Sequence, residues 1–66
     1  MYTLRQARRL REKTQQEMAA ALGISRATYV AMEQNPGRIT IHQIQRICTY
    51  LNLKFSDIAF DDVENS

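Results

Sequence analysis

Sixty-six residues, 44% of them apolar and 24% charged, make a single domain whose core is marginal on its own, so a partner chain is expected. One cysteine excludes an internal disulfide and suits a reducing cytoplasm. The opening Met1-Tyr-Thr-Leu-Arg has no signal-peptide apolar region, and no apolar run approaches a membrane span. The net charge of +2 is unevenly placed: residues 1–38 hold Arg5, Arg8, Arg9, Arg11, Lys13, Arg26 and Arg38 against Glu12, Glu17 and Glu33, whereas residues 39–66 are net acidic.

The pattern predicts an all-α domain of five short helices over residues 1–60 and an acidic tail over 61–66. Thr3 and Gln6 have capping-box spacing and start the first helix, with Leu4, Ala7 and Leu10 as its apolar stripe. Thr14 and Glu17 repeat the box for the second helix. Ser25 caps the third, with Thr28 where a box would need Glu or Gln. Asn35-Pro36-Gly37-Arg38 is a turn, because Pro36 cannot continue the helix and Gly37 permits a reversal. Thr40 and Gln43 form the next box, and Ile41, Ile44, Ile47, Cys48 and Leu51 are the stripe of the fourth helix, which Asn52 ends. Phe55 to Phe60 reads as a short closing helix, with a strand as the alternative.

Residues 15–34 are the most informative stretch. Ala19 is followed four positions later by Gly23, with apolar Met18, Leu22, Ile24, Tyr29 and Met32 around them. Two short helices that cross steeply need a small residue at the crossing, and the tight turn between them needs a residue tolerant of positive φ. This is helix-turn-helix spacing. The second helix of such a motif enters the major groove of DNA. A carboxylate in place of Thr28 would face a phosphate, so its absence agrees with that use.

Catalysis has few candidates. His42 is the lone histidine, in the first turn of a helix, and Cys48 lies on an apolar stripe without a second cysteine or a histidine at ligand spacing. The two glycines are both assigned to turns, which leaves no phosphate-cradling loop. Thr3, Thr14 and Thr40 are accounted for as caps. The expectation is a non-enzyme without cofactor, metal or small-molecule ligand.

The motif resembles the bacterial and phage regulators of the lambda-repressor/Cro (XRE) type, over residues 3–60. The resemblance implies base reading by Arg26, Ala27, Val30 and Ala31, and backbone contacts from Gln15, Thr28, Asn35 and Arg38. Arg26 suits guanine; Ala27 and Val30 suit thymine methyl groups. For Val30, a core or interface role stands equally beside base reading. Arg8 and Glu33 look like a family ion pair, with a phosphate contact by Arg8 alone as the alternative. Two positions depart from the pattern: Glu12 and Lys13 stand where the family commonly has glycine and an aliphatic residue. Lys13 is expected to lay its stem over the core and keep its ammonium wet.

The implied activity is that of a DNA-binding transcriptional regulator, a repressor by promoter occupancy, with double-stranded DNA as partner. Glu33 to Arg38 with Thr40 and Ile41 also resemble HipB-type antitoxins, which would add a toxin protein as partner. A homodimer is expected, with Phe55, Ile58, Phe60 and Val63 as its interface.

Overall fold

The computed structural model describes residues 1–60; the predicted acidic tail, with Val63, lies outside them. The described chain holds four helices: α1 (Leu4–Leu10), α2 (Gln15–Leu22), α3 (Arg26–Gln34) and α4 (Ile41–Leu51). Short 3-10 turns follow α3 at Pro36–Arg38 and α4 at Phe55–Asp57.

Three of the helices share one start and one stop. Thr3, Thr14 and Thr40 each accept from the backbone N–H three residues on, and Gln6, Glu17 and Gln43 each reach back to the cap's own N–H. Each box satisfies two donors that a helix start leaves orphaned. At the far ends Glu12 (φ 58°), Gly23 (φ 71°) and Asn52 (φ 56°) turn left-handed. The following N–H then donates to a carbonyl five residues back: Lys13 to Arg8 at 3.1 Å, Ile24 to Ala19 at 3.0 Å, Leu53 to Cys48 at 3.0 Å. This closes the terminal carbonyls of all three helices. Only the middle stop is a glycine; Glu12 carries a side chain in a conformation that costs roughly 1–2 kcal/mol for an L-residue. Helix α3 differs at both ends, with Ser25 as a simple cap and Pro36 beyond its end. Gly37 has no positive φ, so the turn after α3 is set by Pro36.

The core gathers Leu4 and Ala7 of α1, Met18, Ala19 and Leu22 of α2, Tyr29 and Met32 of α3, and Ile44, Ile47 and Leu51 of α4. Ala19 is fully buried, as the close crossing of α2 and α3 requires. Burial of each large side chain here contributes about 1.5–3 kcal/mol. Two stripe residues fall outside the core. Leu10 is half-exposed at the last position of α1, and Ile41 is 68% exposed because, among the described residues, no element covers the first turn of α4.

The expected fifth helix is a 3-10 turn that passes into extended chain. In an α-helix the Ala59 N–H would donate to the Phe55 carbonyl. It donates instead to the Tyr2 carbonyl at 2.7 Å, while the Tyr2 N–H donates to Asp57 at 2.8 Å. A single parallel bridge between Tyr2 and Ile58 results, and competition from the chain's own start is what ends the helix. Arg11 adds a second long-range clasp, donating from Nε to the Leu51 carbonyl at 2.7 Å and from Nη2 to Asn52 at 3.2 Å. A cation there also suits the negative end of α4.

Candidate nucleic-acid interface

Tyr29 and Met32 turn one side of α3 into the core, which aims Arg26, Ala27, Thr28, Ala31 and Gln34 at solvent and leaves Val30 half-buried. The Ser25 hydroxyl accepts from the Thr28 N–H at 3.1 Å and donates to Thr28 Oγ1 at 2.9 Å. The Thr28 hydroxyl keeps its own hydrogen for an outside acceptor.

Two open depressions flank this face. One is lined by Arg5, Arg8, Arg9 and Lys13, the start of α2 at Thr14, Gln15 and Gln16, and Arg26. The other is lined by Thr28, Ala31, Met32, Asn35, Arg38 and Gln43. Thr28, Asn35 and Arg38, expected as backbone contacts, therefore share one depression. Gln15 lies in the other. Its Nε2 donates to Glu33 Oε1 at 3.2 Å, so its amide is oriented by the end of α3. The sequence reading assigns Arg5, Arg9, Gln16 and Gln43 no contact with DNA. The signal for the first two was present: Arg5, Arg9 and Lys13 recur every fourth residue.

Arg8, in the wall of the first depression, meets Glu33. Arg8 Nε donates to Glu33 Oε2 at 2.6 Å and Nη1 donates to the Lys13 carbonyl at 2.9 Å. The two side chains are 10% and 6% exposed. The hydrogen bond from Arg8 to Glu33 raises the guanidinium above its usual value, against the opposing effect of burial. Burial works to raise Glu33, but the hydrogen bond from Arg8, with that from Gln15 behind it, holds the carboxyl below the usual range. One charge thus keeps the other ionised, and the pair ties α1, the α1–α2 turn and α3 together. The Tyr29 hydroxyl beside it is buried and has no hydrogen-bond partner among the described residues. Burial, followed by the nearby Glu33 carboxylate, pushes that phenol far up.

Lys13 sits 5.1 Å above the Tyr50 ring, a cation–π contact that accounts for this cation at a position the family gives to an aliphatic residue. The predicted dimer residues separate. Phe55 is 62% exposed, but Ile58 and Phe60 are buried in the chain's own core, with Phe60 stacked on Phe55 at 5.9 Å. The bridge to Tyr2 turns both inward. Val63 lies outside the described residues.

Among the described residues no group of His, Cys, Asp and Glu could hold a metal ion, and no helix is long and apolar enough to cross a membrane. His42 is exposed and Cys48 packs partly buried against the core, where burial pushes its thiol up. The fold and this face define a helix-turn-helix DNA-binding domain. The helix-turn-helix family model matches residues 4–58, and the chain belongs to that family, the XRE type that includes Cro and C1 regulators. No curated protein and no solved structure matches the chain.

Proposed function

We propose that the protein is a sequence-specific transcriptional repressor that lays α3 in the major groove of promoter DNA. The observation that carries this reading is the solvent face of α3 standing between two depressions, each with hydrogen-bonding and basic side chains in its wall, as a groove-entering helix stands between two phosphate backbones. Arg26 makes a bidentate contact to guanine, and Ala27, Val30 and Ala31 pack on thymine methyl groups. Gln15 on one side and Thr28, Asn35 and Arg38 on the other contact phosphate.

A second copy doubles the site. Phe55 and Ile41 are solvent-facing apolar side chains on one groove wall, joined there by Met1, and they form the self-complementary patch in place of Ile58 and Phe60. The operator is then an imperfect palindrome with half-sites about 10 base pairs apart.

Selection of bound sites from random duplex DNA tests the reading. A palindromic consensus is expected, and Arg26→Ala should lose about 1–3 kcal/mol on it and relax one base pair per half-site. Arg38→Ala should weaken all duplexes alike. Failure to enrich any sequence, or an unchanged consensus for Arg26→Ala, defeats the assignment. Sedimentation of Phe55→Asp against the wild type tests the dimer, which is refuted if the wild type stays monomeric at high concentration and on operator DNA.

A further inference from the structure

Arg5 and Arg9 lie one helical turn apart on α1 and are both exposed. With Arg26 they line one depression that has no acidic residue in its wall. Neither makes a hydrogen bond or an ion pair among the described residues, in contrast to their neighbours. Arg8 is neutralised by Glu33, Arg11 is clasped to the end of α4, and Lys13 sits over Tyr50. The nearby carboxylate of Glu17 is occupied on the Thr14 N–H at 2.8 Å. Three guanidinium groups thus line one hollow that, among the described residues, holds no carboxylate in its wall, a repulsive arrangement that an anion relieves.

We propose that Arg5 and Arg9 bind backbone phosphates of the DNA strand that passes the N-terminal end of α3, which extends the footprint beyond the contacts of α2 and α3. The inference rests on α3 as the groove-entering helix. Guanidinium groups suit this partner, because their planar fork matches two oxygens of one phosphate. DNA is favoured over an acidic protein by Arg26. That residue belongs both to the hollow and to the outward face of α3, so a duplex seated on that face carries its backbone across the hollow.

The test compares the wild type with R5Q/R9Q by fluorescence anisotropy, on a short random-sequence duplex and on a selected duplex, over a range of salt concentrations. Circular dichroism shows that the variant is folded. R46Q/K54Q, which removes the same charge from α4 and the segment after it, is the control for net charge. Each phosphate contact contributes about 0.9 to the log–log salt slope, so R5Q/R9Q should flatten it by about 1.8 on both duplexes and leave the consensus unchanged. A wild-type slope in R5Q/R9Q overturns the inference alone and is the outcome if the hollow serves an acidic protein. An equal flattening by R46Q/K54Q also overturns it. A wild type that binds no duplex at low salt overturns the reading of α3 as well.

Discussion

The Arg8–Glu33 pair should be worth a large fraction of this domain's stability when it is broken from one side only. Sixty described residues at roughly 0.05–0.15 kcal/mol each suggest about 3–9 kcal/mol in total. Glu33→Met strands a guanidinium that is 10% exposed, and Arg8→Met strands a carboxylate that is 6% exposed and also frees the Lys13 carbonyl. Loss of one partner of a buried pair costs about 3–5 kcal/mol, enough to unfold much of the population. Arg8→Met/Glu33→Met strands neither charge and should recover at least half of the summed loss. The cycle is measured by urea denaturation in an osmolyte such as sucrose, which keeps the single variants folded. Additivity of the two single losses to within about 0.5 kcal/mol would refute the coupling. The pair also has an acid signature. Glu33 is held below its unfolded value, so its contribution is fully present above that value, near pH 4.3, and is lost as pH falls through the lowered folded value. The stability gap between the wild type and the double variant should therefore move against the wild type on acidification below about pH 4.

Glu12→Gly should raise stability by on the order of 0.5–1 kcal/mol, since relief of the left-handed strain outweighs the added freedom of the unfolded chain. Thermal melting reads this as about 2–8 °C, and no rise would show that Glu12 is held without strain. Tyr29→Phe removes a buried hydroxyl without a partner and should stabilise by about 1 kcal/mol; a loss of that size in a urea melt would show that the hydroxyl bonds Glu33 after all. Phe60→Asp places a carboxylate in the core and should unfold the chain, whereas Phe55→Asp should leave a folded domain by circular dichroism. Equal unfolding of both variants would contradict the burial difference between the two rings.

Local chemistry was legible before any tertiary contact was known. Capping boxes involve residues three apart, so Thr3, Thr14 and Thr40 announce their helices in the chain itself. Gly23 and Asn52 likewise mark ends through backbone preference, and the periodicity of Tyr29 and Met32 decides which side of α3 stays wet. Glu12 was less legible because its left-handed turn runs against its own propensity and is held by the bonds around it. What failed depends on residues far apart in sequence. Nothing near Phe55 says that Ala59 will bond Tyr2, and that one long-range bond trades a helix for a bridge and turns Ile58 and Phe60 into the core. Ile41 shows the reverse: a periodic apolar residue that no distant element among the described residues arrives to cover. The hollow lined by Arg5 and Arg9 of α1, the start of α2 and Arg26 of α3 joins three elements, a placement that no local pattern contains. Sequence alone therefore determined where the helices start, where most of them stop and which side of α3 faces solvent, since those depend on hydrogen bonds and periodicity within a few residues. The tertiary structure decided which apolar side chains form the core and which cations find a partner among the described residues, because burial and charge pairing are settled by contacts between distant parts of the chain.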